Sequence, residues 1–134
     1  MIKYDLNNRV AVVTGGAQGF GFAITERFIQ AGAKVIIWDI EEKTAKEAVE
    51  KIKSENVSYQ IVDVTNYEIV NKNLNVVAEN FGKIDIFINN AGIAGMNTTV
   101  AEYPLDEWKK VMNLNLNSVF YCCKAVVPFM IKNN

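Results

Sequence analysis

Residues 10 to 24 read VAVVTGGAQGFGFAI: a β-branched apolar run breaks into Gly15, Gly16, Gly19 and Gly21, then returns to apolar residues. A strand feeding a helix through glycines brings backbone N–H groups and the positive end of the helix close together, which suits a pyrophosphate. A side chain at the closest positions would hold the phosphates away, so glycine is required there. Read alone, the same glycines also fit a tight strand-to-helix turn with no ligand. The spacing differs from the G-x-G-x-x-G dinucleotide fingerprint.

The rest of the chain alternates in the same way. RVAVVTG and AKVIIWD are short runs without polar alternation, as parallel strands covered on both faces require. Between them Phe22, Ile24, Phe28 and Ile29 recur at helical spacing, and Gly32 stands where a helix cap belongs. EEKTAKEAVEKIKSE reads as an amphipathic helix, VSYQIVDV as a third strand, NYEIVNKNLNVVAENFG as a third helix and IDIFINNAG as a fourth strand. A loop, IAGMNTTVAEY, leads to Pro104 and a last helix from about Leu105 to near Ile131, which Pro128 is expected to kink or end. The βαβαβαβα order predicts a doubly wound α/β domain spanning residues 1–134, with a parallel sheet and helices on both faces. At 134 residues the chain buries a real core as one domain.

Asp39 falls at the end of the second strand, about 20 residues after the loop, where an acid accepts hydrogen bonds from an adenosine ribose. The same carboxylate repels a 2′-phosphate, and no Arg or Lys in or just after the loop attracts one. NAD is therefore expected, with NADP second. Asp39 could equally open the next helix, and the two roles are compatible.

Charge and composition remove other classes. The net charge is −1 with Lys and Arg scattered, which argues against a nucleic-acid partner or an anionic membrane surface. No apolar stretch is expected to approach the ~20 residues of a membrane span, and MIKYDLNNR lacks a signal-peptide core. Cys122 and Cys123 are adjacent and poorly placed to bridge each other, so a cytoplasmic location is expected. With no histidine in the sequence, Ser-His-Asp catalysis and histidine metal sites are excluded, and no metal is expected.

Thr14-Gly15-x-x-x-Gly19-x-Gly21, together with Asn89-Asn90-Ala91-Gly92 at the end of the fourth strand, resembles the short-chain dehydrogenase/reductase family. The likeness is to its compact branch, with 3-oxoacyl-carrier-protein reductases and glucose or hydroxybutyrate dehydrogenases, and runs from about Arg9 to the last residue. It implies a Rossmann sheet of order 3-2-1-4. Gly15, Gly19 and Gly21 would form the pyrophosphate turn, with backbone contacts from Gln18 and Phe20, the latter replacing the usual Ile or Leu. Asp39 would bind the ribose, Asp63 and Val64 would meet the adenine ring, and Asn89, Asn90, Ala91 and Gly92 would lie beside the cofactor ribose. Asn115 matches a helix asparagine whose backbone carbonyl, in relatives, holds a water that connects the catalytic lysine to solvent. From the residues alone Asn115 is one of several asparagines on a helix and has no assigned role.

The resemblance also implies hydride transfer between nicotinamide and an alcohol or carbonyl, with a serine and a Tyr-x-x-x-Lys handling the proton. Four residues beyond Tyr4, Tyr59, Tyr67, Tyr103 and Tyr121 stand Asn8, Asp63, Asn71, Glu107 and Ala125, so no such pair exists here. Tyr121 and Lys124 are three apart on one helix and read as packing. The expectation is a cofactor-binding half, incomplete at its carboxyl end and inactive alone, that meets a substrate only if the other half is supplied. The alternatives are a non-catalytic dinucleotide-binding or assembly module, or an α/β interaction protein with a vestigial loop. An uncovered fourth strand and an apolar last helix predict self-association.

Overall fold

The computed structural model describes residues 3–133; the expected domain bounds extend over Met1, Ile2 and Asn134, which lie outside the described residues. Strands β1 (Val10–Thr14), β2 (Lys34–Asp39), β3 (Val57–Ile61) and β4 (Ile86–Ile88) alternate with helices α1 (Gly19–Gln30), α2 (Glu42–Ile52) and α3 (Tyr67–Phe81). Helices α4 (Leu105–Met112) and α5 (Ser118–Lys132) follow, joined by a π-helical turn over Asn113–Asn117. All pairings are parallel and the order is β3-β2-β1-β4, as expected for a doubly wound sheet.

The absence of polar alternation in β1 and β2 has a direct cause: both faces are covered. Val10, Val12, Ile36 and Trp38 point to the side packed by α3 and α5, with Leu74, Cys122 and Val126. Ala11, Val13 and Val35 point to the other side, against Ile24, Phe28 and Ile29 of α1, and Ile37 meets Ala45 and Ala48 of α2. Trp38 is fully buried; its ring meets Phe87 edge-on at 5.4 Å, and its Nε1 donates to Gln60 Oε1 at 2.7 Å. At their amino ends, β1 and β4 are joined by Asp85. Its carboxylate accepts the Val10 N–H at 2.8 Å and pairs with Arg9 at 3.1 Å and Lys83 at 3.2 Å.

Three expectations are corrected. The third and fourth strands are shorter than VSYQIVDV and IDIFINNAG, because the chain leaves the sheet at Ile61 and Ile88. Pro128 neither ends nor bounds the last helix: α5 continues through it to Lys132, and Pro128 sits at an exposed position, where a carbonyl lacking its donor can be hydrated. The helical stretch Leu105–Lys132, 28 residues, is long and apolar enough by length and composition to cross a membrane. The charges of α4 interrupt its apolar run without lowering its average far enough. In this fold its Cys122, Ala125 and Val126 face packs into the sheet core.

Candidate functional site

β1 and β4 run side by side and release their chains at the same edge of the sheet. Thr14, the last residue of β1, joins the two exits. It is 2% exposed; its Oγ1 accepts the N–H groups of Asn90 at 2.9 Å and Ala91 at 3.0 Å and donates to the Ile88 carbonyl at 3.2 Å. Asn90 completes the joint, its Nδ2 donating to the carbonyls of Thr14 at 3.0 Å and Gly15 at 3.1 Å. The buried Thr14 hydroxyl and the partly buried Asn90 amide thus tie the two loops together as one unit.

The glycines do two different jobs. Gly15 and Gly19 adopt φ of +59° and +56°, which side-chain-bearing residues rarely occupy. Gly21 has ordinary backbone angles but is buried, and a Cβ there would strike the Gly15 carbonyl and lie 2.6 Å from Asn90 Nδ2. Thr25, also buried, donates to the Gly21 carbonyl at 2.9 Å and fixes the first turn of α1. That turn has no side-chain cap and no acidic residue. Its N–H groups, without intrahelical partners, carry the positive end of the helix dipole unopposed.

A cleft of about 300 Å³ opens at this edge. Gly15, Gln18, Asp39, Val64, Asn90, Ala91 and Gly92 line it, joined by Trp38, Ile40, Val62, Ile93 and Leu114. Asp39 Oδ1 accepts the Glu41 N–H at 3.2 Å, so it does brace the entry to α2, while Oδ2 is left for a further donor. A hollow of about 400 Å³ between the carboxyl ends of α3 and α5, by Gly82 and Pro128, is larger but gathers no comparable set of backbone donors.

The remaining expected residues stand apart from the cleft lining. Gly19 borders a separate hollow with Thr44, Glu47 and Lys51 of α2. Phe20 is 87% exposed, and Gly21 is packed behind the loop. Asp63 is engaged with Thr65, through its N–H at 2.9 Å and its hydroxyl at 2.6 Å, and faces a hollow with Tyr67, Tyr121 and Lys124. Asn89 is exposed, with Nδ2 3.5 Å from the Sγ of Cys123. Asn115 lies in the π-helical turn and acts through its side chain: Oδ1 accepts the Ile93 N–H at 2.9 Å and Nδ2 donates to the Ile93 carbonyl at 2.8 Å.

Tyr121 and Lys124 are spent on packing. Tyr121 meets Tyr67 edge-on at 6.1 Å, and Lys124 Nζ sits 5.5 Å over the same ring. Burial, with Cys123 adding to it, pushes the Cys122 thiol up to about 12, which makes it a core side chain and no nucleophile. The arrangement can hold an extended anionic ligand by backbone donors, with one carboxylate in the same cleft. Sequence reasoning gave no role to Thr14, Thr25 or Tyr103; the threonine that opens the glycine motif was the available signal for the first.

Residues 9–134 match the model of the short chain dehydrogenase family. The chain is 38% identical over 125 residues to a 2-dehydro-3-deoxy-L-rhamnonate dehydrogenase (NAD(+)) of a Sphingomonas species, covering 93% of this chain and 49% of that protein. It is 39% identical over 128 residues to a probable NADP-dependent mannitol dehydrogenase of Yarrowia lipolytica, covering 92% and 46%. The solved structure of NAD+-bound xylitol dehydrogenase superposes with a TM-score of 0.91 at 30% identity, covering 96% of this chain and 50% of that one. The chain spans about half the length of the curated relatives it matches.

Proposed function

The chain belongs to the short-chain dehydrogenase family, and from that premise we propose that it holds a nicotinamide dinucleotide, NAD in preference to NADP, as the cofactor part of an oxidoreductase. The observation that carries this reading is that Gly15 and Gln18 of the glycine loop line one cleft together with Asp39. The residues present fit the group: Gly15 and Gly19, at positive φ, carry the loop past the cleft without side chains, and the unopposed first turn of α1 suits a pyrophosphate.

Gln18, Gly19, Phe20 and Gly21 would offer backbone N–H groups to the pyrophosphate from the turn that Gly15 begins, its own N–H being held by the Trp38 carbonyl at 2.7 Å. Asp39 Oδ2 would accept from the adenosine ribose, and its charge would disfavour a 2′-phosphate. Val64 would flank adenine, with Asp63 at its outer edge, and Asn90, Ala91 and Gly92 would lie along the nicotinamide ribose, with Asn89 beside them. When bound, the cofactor supplies a carbon that gives or takes hydride from an alcohol or carbonyl carbon. Asn115 would support the site by holding Ile93. The sequence contains no Tyr-x-x-x-Lys, so proton transfer would come from residues outside it. The chain by itself is expected to bind without turning over. Two unbridged cysteines, one of them exposed, support a cytoplasmic location.

Calorimetric titration tests the cofactor. NAD+ is expected to bind at least tenfold more tightly than NADP+, and Asp39→Asn to narrow the gap; tighter NADP+ binding overturns the role of Asp39.

A second reading, an assembly module, is favoured by a specific surface. Leu116, Phe120, Val127 and Ile131 form an exposed apolar stripe, with Phe120 63% and Ile131 69% exposed, and among the described residues β4 is paired only on its β1 side. A second copy of the chain would cover one or both. Sedimentation at increasing concentration should show a dimer or larger, and a monomer throughout contradicts it.

A further inference from the structure

We propose that Tyr103 is a positioning residue for the nicotinamide side of the cleft, acting through the loop that follows Gly92; this rests on the cofactor reading above. Met96 donates its N–H to the Tyr103 hydroxyl at 3.1 Å, seven residues away across the loop. Gly95 has φ +76°, and a Cβ there would strike that hydroxyl and lie 2.7 Å from Val111 Cγ2 on α4. The loop therefore approaches α4 as closely as a backbone can, and the tyrosine hydroxyl is the atom that receives it. The ring is held in turn by Trp108, edge-on at 6.5 Å.

The other end of the same loop is fixed by the Asn115 amide, which takes both the N–H and the carbonyl of Ile93. Between these two anchors lie only Ala94 and Gly95. Ile93 lines the cleft beside Gly92, so the Gly92–Ile93 peptide is set by Asn115 directly and by Tyr103 through Gly95 and Met96. On the adenosine side, Asp39 bonds the Glu41 N–H, and the hydrogen bonds of this brace involve neither Asp39 nor Val64.

The direct test is Tyr103→Phe in the full chain, titrated with NAD+ and with ADP, which carries the adenosine and pyrophosphate groups but no nicotinamide riboside. The expected result is about a fivefold weaker NAD+ affinity, the scale of one lost hydrogen bond. ADP affinity should be unchanged, and hydrogen exchange at the Met96 amide faster. Unchanged NAD+ affinity overturns the proposal, whatever happens to exchange, and so does an equal loss for ADP, which marks general destabilisation. Gly95→Ala should give the same split more strongly where it folds. Failure of the unsubstituted chain to bind ADP at all is a different outcome: it removes the cofactor reading itself and takes this inference with it.

Discussion

Two loops leave adjacent strands at one edge of the sheet, and they are built by opposite means. The loop after β1 is shaped by missing side chains: Gly15 and Gly19 take positive φ, and Gly21 leaves room for the Gly15 carbonyl and Asn90. The loop after β4, apart from the positive φ of Gly95, is shaped by side chains that are present, through Thr14, Asn90, Asn115 and Tyr103. The first exposes backbone donors to a ligand. The second spends its hydrogen bonds on holding itself and its neighbour. A cradle for an anion needs the first kind, and a wall that must not move needs the second.

The contrast breaks most severely at Gly21→Ala, where the added methyl meets a backbone carbonyl that cannot swing away. A loss of about 3 kcal/mol is expected, at the upper end of overpacking costs, together with loss of NAD+ binding. Urea denaturation and calorimetry read both.

Next is Thr14→Val, which keeps the shape of a buried side chain and strands the N–H groups of Asn90 and Ala91. A loss of about 2 kcal/mol is expected from urea midpoints, with Thr14→Ser recovering most of it. An effect below that of a surface substitution would mean the second loop is held by packing alone.

The other end of the same strand pair sharpens the comparison, since Asp85 joins β1 and β4 far from the cleft. Asp85→Asn is expected to cost about 1 kcal/mol, discounted because Arg9 is exposed, and to leave NAD+ affinity unchanged. Burial alone would raise the Asp85 carboxyl, but the Val10 N–H, Lys83 and Arg9 outweigh it and hold the group below its ordinary value of 3.8. A depressed folded value means that this stability is fully present above the unfolded pKa and is lost as pH falls through the folded one. Denaturation midpoints of the Asn variant and the native chain should therefore converge in acid, below the ordinary carboxylate range.

Gly19→Ala should show an equally small effect on stability, about 1 kcal/mol. A Cβ there meets nothing within 4 Å, and only the φ of +56° resists it. Gly19 and Gly21 thus separate the conformational from the steric use of glycine within one turn.

The first loop was legible in the sequence because its rule is local. Glycines at set spacing after a β-branched run state both the turn and the close approach, and Asp39 follows at a set distance. The parallel sheet and the helices on both its faces followed from the same alternation of runs, and the strand order from the family resemblance. The second loop was less legible, because its rules act at long range. Thr14 reads as the last residue of a strand, and its bonds go to residues 76 and 77 positions away. Asn115 has one polar neighbour on each side at 113 and 117, and only the π-helical turn and the Ile93 backbone distinguish it. Asp63, paired with the adenine ring by resemblance, is bonded to its own turn at Thr65. Pro128 reads as a helix end because its missing donor is a local cost, whereas the packing of Cys122, Ala125 and Val126 that carries α5 onward is not written nearby.

Amide chemical shifts of the isotopically labelled chain, followed as NAD+ is added, test most directly that these two loops serve one ligand. Gly19, Phe20 and Gly21 should shift together with Asn90 through Ile93 and saturate on a single binding curve. Shifts confined to one loop, or two curves with different midpoints, would contradict the joint cleft.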